Sequence, residues 1–322
     1  MLNSSKKVDL LVCTNRASQD FPRIWSQILS QEKLKKIVLA TQGQANQFKN
    51  REKKVQHLSL ESKGRSKALI AGLKETSAFA VALTDDDCVL DKNWLSESLD
   101  SLGENVDLVY GQTKPYQPEK NLGKFCPSTF SKKPNRFSIT SSLGKHWLEV
   151  GFDNNVLIKK TVFEQIGPYK WWMGPGCLVP AAEDAEFILR SLIAGYKIAY
   201  NPRMLAYHDR FLTAEEFEKQ LLAYNYGGLV AYGFYALQGV KECREIFIDH
   251  LKVFFYPAKK NLKEIIKGSW SIILFKDFFL NAKFLLQGIF WAWFFAKVMP
   301  IPEKENVVKR FYKSNVKKNS SS

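Results

Sequence analysis

The sequence predicts an α/β domain, a sheet flanked by helices, that runs on into a helical extension. Three observations carry this expectation. Short apolar runs alternate with stretches of helical periodicity from Val8 to Tyr110. The runs are nearly continuous in apolar character, as suits parallel strands covered on both faces. From Thr213 onward the pattern is helical throughout. A chain of 322 residues is long enough for two domains, and 45% hydrophobic with 25% charged residues excludes disorder as its main state.

In chain order, Val8–Cys13 reads as a strand. Phe21, Ile24, Trp25, Ile28 and Leu29 then fall at helical spacing, and Ile37–Ala40 is a second strand. Val55–Leu60 is a third, followed by an amphipathic stretch from Ser66 to Thr76, and Phe79–Leu83 is a fourth. Asn93–Leu102 reads as helix and Val106–Tyr110 as strand, which completes a βαβ rhythm. The rhythm lapses between 111 and 150, where Pro115, Pro118, Pro127 and Pro134 predict a long irregular excursion. Asn155–Ile158 is then a strand and Thr161–Ile166 a helix. A Gly/Pro/Trp loop from Gly167 to Ala182 leads to a helix from Glu183 to Ala194 and a strand from Lys197 that ends at Pro202. Thr213 and Glu216 form a capping box that starts the extension.

The net charge of +15 is uneven. Residues 251–322 hold 14 lysines and arginines against 4 acids, a net of +10, among Phe and Trp side chains. Basic patches attract nucleic acid or anionic membranes. The aromatic company favours a lipid surface, with a nucleic-acid-binding protein as the rival reading. Lys276, Asp277, Lys283 and Lys297 break the apolar stretch from Trp270 to Met299, so its longest uncharged run is 284–296. A spanning helix needs about 17 to 25 residues, and an interfacial segment is expected instead. Five widely spaced cysteines without a CxxC pair suggest reduced thiols. The apolar stretch after Lys6 and Lys7 is too short for a secretory core, so the chain reads as cytoplasmic.

The candidate chemistry is acidic. Asp85, Asp86 and Asp87 end the fourth strand, the place where open α/β sheets bind ligands. Three adjacent carboxylates repel one another unless a cation or donor groups offset them, and hard oxygen ligands suit Mg2+ or Mn2+. A solvated turn capping the next helix is the bland alternative. Glu183 and Asp184 open a helix after the loop holding Trp171 and Trp172; they are a base pair of carboxylates or mere partners of the helix dipole. The glycines and aromatic faces of that loop look suited to covering a substrate. His208 is a lone histidine that gains interest only beside the aspartates. Lys63–Lys67 stands at a helix start and is either an anion site or a solvated basic turn. No Walker loop, GxGxxG or HExxH is present.

Together these residues resemble family 2 glycosyltransferases of the GT-A fold, from Val8 to about His208. The resemblance rests on Cys13-Thr14-Asn15-Arg16 closing the first strand, the Gly64–Lys67 turn, the acidic triplet and Asn154-Asn155. It continues through Glu183-Asp184, Arg190, Gly195–Ile198, Pro202 and His208. It implies a Rossmann-like mixed sheet over residues 1–212, and beyond it the charge and helical pattern give a membrane-associating helical extension over 213–302 and a basic flexible tail over 303–322. It implies that Asp184, beside Glu183, acts as base, and that Asp87 and His208 hold Mn2+ or Mg2+. Thr14, Asn15, Arg16, Arg65, Lys67, Asp85 and Asp86 would line the nucleotide site, with Gln42 in place of the acid that commonly reads the base.

The implied reaction moves one sugar, with inversion, from a UDP- or GDP-sugar donor to a glycan or lipid-linked acceptor, in polysaccharide or glycolipid synthesis. The expected location is the cytoplasmic face of the membrane, on an anionic surface and without nucleic acid as partner. No QxxRW follows the Glu-Asp pair, which points away from a processive synthase. A metal-dependent nucleotidyltransferase is the alternative enzyme, and an inactive sugar-binding relative the alternative without chemistry.

Overall fold

The structure is a computed structural model that describes residues 7–15, 27–43, 53–103, 105–129, 131–137, 150–268 and 271–299. The reading of a helix from Phe21 lies largely outside these residues, as do Arg16 and the tail from 303. The described elements are β1 (Val8–Thr14), β2 (Leu34–Gln42), β3 (Val55–Leu60), α1 (Arg65–Glu75), β4 (Ala80–Asp85), β5 (Cys88–Leu90) and α2 (Trp94–Ser101). There follow β6 (Leu108–Pro115), β7 (Asn135–Phe137), β8 (Asn155–Lys159), α3 (Lys160–Ile166), α4 (Glu183–Ile193) and β9 (Ile198–His208). Three long helices end the chain: α5 (Ala214–Leu237), α6 (Glu242–Ile266) and α7 (Ile272–Val298).

The strands form one mixed sheet in the order β3-β2-β1-β4-β8-β6-β9-β5, with β7 on β9. β3, β2, β1 and β4 are parallel, β8 runs antiparallel to β4 and β6, and β6 and β9 are parallel. Both faces are covered, as the apolar runs require. Leu11, Val81 and Leu83 pack with Ala68, Leu69 and Leu73 of α1 and Phe187, Ile188 and Leu192 of α4. On the opposite face Val8, Leu10 and Val12 pack with Trp94 and Leu95 of α2. The strand period of two sorts β1 between the two layers.

Strand β9 departs from the expectation that Pro202 ends it. Its pairing with β6 slips between Gly111 and Gln112: Gly111 faces Asn201, but Gln112 faces Leu205. The extra residues on β9 form a bulge, where a proline without a ladder donor is tolerated. The strand therefore continues six residues past Pro202 and lays His208 opposite Cys88 of β5. Asn155 braces this junction. Its side chain accepts from Trp94 Nε1 at 2.7 Å and donates to the Gln112 and Met204 carbonyls at 2.9 and 3.0 Å.

Helices α5, α6 and α7 pack on one another and on the outer side of α4. Small residues set their separation: a Cβ on Gly228 would lie 2.4 Å from His250 Nε2, one on Gly233 2.7 Å from Ala292 Cβ, and one on Gly288 2.4 Å from a Leu229 methyl. The capping box forms as expected, with Glu216 N–H donating to Thr213 Oγ1 and Thr213 N–H to Glu216 Oε2. Among the described residues one helix, α7, is long and apolar enough to cross a membrane by length and composition.

Candidate active site

A cleft of about 460 Å³ opens beyond the carboxyl end of β4. Its lining comes from distant stretches of chain: Arg65, Asp85, Asp153 and Asn154, then Pro175, Glu183 and Asp184, then His208, Arg210 and one side of α5 around Gln220 and Tyr224.

The acidic triplet divides its duties by position. Asp85, the last residue of β4, is half-buried and accepts from Arg65 Nη2 at 2.6 Å. Asp86 accepts from the Thr14 hydroxyl, so the ends of β1 and β4 are tied across the sheet. Asp87 is buried, with its Oδ1 3.3 Å from His208 Nε2. The other imidazole nitrogen, Nδ1, lies 2.9 Å from the Pro127 carbonyl, which fixes the ring. Burial alone would lower the His208 pKa; the hydrogen bond to Asp87 and its charge outweigh this and raise it to about 10. Asp87, Cys88 and His208 each offer one ligand atom, all within 4.8 Å of one another. Burial and the neighbouring aspartates hold the Cys88 thiol well above its ordinary pKa, so the protonated sulfur is a poor ligand. A buried carboxylate and an imidazole remain; His208 holds its proton by pairing with Asp87, and a divalent ion standing between the two would displace that proton and leave a donor pair that fits Mn2+ when substrate oxygens complete the shell.

Across the cleft stand Glu183 and Asp184, at the start of α4. The preceding Ala182 has φ of 68°, a left-handed conformation that costs a residue with a side chain about 1–2 kcal/mol. Glu183 is buried and accepts from Arg65 Nη1 at 3.1 Å; burial raises its pKa to about 7, against the pull of Arg65. Asp184 is half-buried. Desolvation, then the charge of Asp153, raise its pKa to about 7. Asp153 itself is raised to about 6 by burial, while Arg65 and the hydrogen bond from the Tyr110 hydroxyl oppose the shift. Arg65 thus sits as one cation among three acidic segments and joins the first to the last.

The Gly64–Lys67 turn is not an open anion site. Arg65 N–H donates to the Pro175 carbonyl at 2.9 Å, and Gly176 and Cys177 pack closely against Gly64. The loop therefore caps the helix itself. Gly64, at φ of 119°, has to be glycine: a Cβ there would stand 2.6 Å from Cys177 Sγ. Of the turn, only the Arg65 side chain lines the cleft, and Lys67 is half-buried outside that lining.

Three other expectations are corrected or moved. Trp172 is fully buried and stacks on Phe295 of α7, with centroids 3.8 Å apart and planes at 9°, so it joins the loop to the extension and covers no substrate. Trp171 is half-exposed but also lies outside the cleft lining. Gln42 spends its amide on the Ser62 and Gly64 carbonyls and so braces the turn before α1. Asn15 is exposed at the end of β1, and Arg16 lies outside the described residues. Asp153, Arg210 and Tyr224 were missed as cleft residues. An acid directly before the Asn154-Asn155 pair, at the mouth of a buried strand, was the available signal for Asp153; Tyr224 had none, because α5 approaches the cleft only in three dimensions.

Residues 11–167 match the model for glycosyl transferase family 2. The chain is 24% identical over 161 residues to the glycosyltransferase AglE of Haloferax volcanii, a match covering 50% of this chain and 49% of that one, so it spans about half the relative's length. In fold it is similar to S. aureus TarS 1–349, with a TM-score of 0.57 at 12% identity over 96% of this chain and 92% of that one. It is likewise similar to the mannosyltransferase PcManGT from Pyrobaculum calidifontis in complex with GDP-Man and Mn2+, with a TM-score of 0.54 at 12% identity over 88% and 87%.

Proposed function

We propose that the chain, whose residues 11–167 match the model for glycosyl transferase family 2, moves one sugar from a nucleotide-sugar donor to an acceptor hydroxyl, with inversion and with help from a divalent metal. The carrying observation is that one cleft is lined by Asp85, by His208, which pairs with the buried Asp87 just behind the lining, and by Asp184, so acid sites of different character share it. TarS has been crystallised with UDP and with UDP-GlcNAc, and PcManGT with GDP-Man and Mn2+. These support a UDP- or GDP-sugar as donor here.

Asp87 and His208 would hold the metal, which when bound neutralises charge developing on the diphosphate leaving group. Asp85 and Asp86, tied to Arg65 and Thr14, form the adjoining rim for the nucleotide. Asp184 serves as general base: it takes the acceptor's proton as the hydroxyl oxygen attacks the anomeric carbon. A carboxylate of ordinary acidity would be a weak base at neutral pH. Burial and Asp153 move Asp184 toward the range where general bases work best. Arg65 keeps Glu183 anchored, which in turn fixes the first turn of α4 and the aim of Asp184. Arg210, Gln220 and Tyr224 line the α5 side, where a glycan or lipid-linked acceptor would enter.

The test is a panel of UDP- and GDP-sugars with and without Mn2+, read as thermal stabilisation and as nucleoside diphosphate release. Stabilisation by one donor that depends on metal and is lost in Asp87→Ala supports the reading. Release of pyrophosphate from a nucleoside triphosphate would instead favour nucleotidyl transfer. No response to any sugar nucleotide would overturn the proposal.

A further inference from the structure

The outer surfaces of α6 and α7 repeat one pattern. Along α6, Ile248, Lys252, Phe255, Lys259, Leu262 and Ile266 succeed one another at alternating steps of four and three residues, and all six are exposed. Along α7 the same steps join Lys276, Phe279, Lys283, Leu286, Phe290 and Trp293, again all exposed, with Lys297 one step further. Steps of three and four trace a single stripe on a helix. Each stripe therefore mixes large apolar side chains with lysines on the same face. Further exposed apolar side chains flank the stripes, among them Tyr256 on α6 and Ile273, Leu280 and Ile289 on α7, while Phe254 and Phe295 pack inward in the third core cluster.

This pattern serves neither a core nor a solvated surface. Large exposed apolar side chains mark an interaction face. Lysines interleaved with them exclude a dry interface, and in a symmetric pairing of two copies they would bring like charges together. A lysine's alkyl stem lies along apolar surface while its ammonium reaches outward, and Lys259 Nζ stands 5.9 Å from the Phe255 ring centre. Acyl chains below and anionic head groups above supply both halves of the match. We propose that α6 and α7 lie in the plane of an anionic membrane surface, with Phe255, Phe279, Phe290 and Trp293 entering the head-group boundary and Lys259, Lys276 and Lys283 on the lipid phosphates. Crossing the bilayer is disfavoured, because Lys283 falls near the middle of α7 and would sit near the bilayer centre. The face stands apart from the cleft, so this inference does not depend on the reaction.

The test is flotation of the full chain with vesicles of phosphatidylcholine alone or with about 30% phosphatidylglycerol, at low and high salt. Binding to the anionic vesicles at least about tenfold tighter, weakened by salt, is expected. Phe279→Ser with Phe290→Ser should abolish binding to both, and Lys276→Glu with Lys283→Glu should remove the preference for anionic lipid. All four positions are exposed, and an unchanged melting curve checks that each variant folds. Three outcomes would overturn the proposal: equal affinity for both vesicles, resistance of the bound protein to alkaline carbonate as for a spanning helix, or no lipid binding with a dimer that the same substitutions disperse.

Discussion

The cleft and the helical extension are built on opposite terms. The cleft gathers Asp85, Asp153, Glu183 and Asp184 around Arg65 and holds them partly or wholly away from water. That arrangement costs free energy, because burial disfavours each charge and the acids repel one another. The extension has consecutive helices, glycines that let backbones close in, and stacked aromatic rings. The difference teaches where the strain is carried. A cleft that would relax on its own is held by the apolar mass behind it, at identifiable points. Gly227 of α5 lies against Ala181 and Ala182, Trp172 of the loop stacks on Phe295, and the Tyr235 hydroxyl donates to Glu186 of α4.

The comparison can be broken most sharply at Asp184. Asp184→Asn should lower kcat about 10³-fold, as loss of a general base does, with donor affinity by calorimetry unchanged. A loss confined to KM would remove Asp184 from the base role. Next in size is Phe295→Ala, which empties the stack under Trp172 and should cost about 3–4 kcal/mol of stability in urea titrations. If the loop depends on that stack, kcat falls with it although Phe295 lies outside the cleft lining.

Gly227→Ala probes the second contact. Its Cβ would meet the Ala181 carbonyl at 2.6 Å and Ala182 Cβ at 2.8 Å, which should cost about 1–3 kcal/mol. Gly233→Ala, crowded 2.7 Å from Ala292 Cβ away from the cleft, is the control. At matched stability loss Gly227→Ala should lose more activity, and equal losses would mean that the extension does not position Glu183 and Asp184.

The smallest effect is one of pH. A carboxyl whose folded pKa is raised binds protons that the unfolded chain has released, so its contribution to stability is lost as pH rises through about 7. Asp184→Asn should therefore be more stable than the parent at pH 8, by about 1–2 kcal/mol, with the difference shrinking toward pH 5. Rate should move the other way in the parent, rising through the same range as Asp184 ionises. A stability difference that does not change with pH would show that Asp184 is of ordinary acidity.

Much of this was legible in the residues. The alternation of apolar runs placed β1 to β4, and Thr213 with Glu216 placed the start of α5, because strand period and capping chemistry are local. Asp85–Asp87, Glu183-Asp184 and His208 could be marked as candidates, since acids at strand ends and helix starts need a reason. Their meeting could not be read. Pro202 looked like the end of a strand, and only the pairing of β9 with β6 shows that a bulge absorbs it and carries His208 to Asp87. Trp172 looked like a substrate cover, since its partner Phe295 is more than a hundred residues away. The Gly64–Lys67 turn looked open to an anion, but the Pro175 carbonyl takes the Arg65 N–H and Cys177 packs against Gly64.

What the sequence by itself determined is the set of elements, the basic and aromatic extension and the list of acids that could do chemistry, all consequences of composition and short-range periodicity. Tertiary structure decided which of them share a cleft, how acidic they are and which aromatic side chains are used up in packing. Those properties depend on burial and on charges a few ångströms away, and residues such as Asp153 and Tyr224 come that close to Asp184 only once the sheet has formed and α5 has packed against α4.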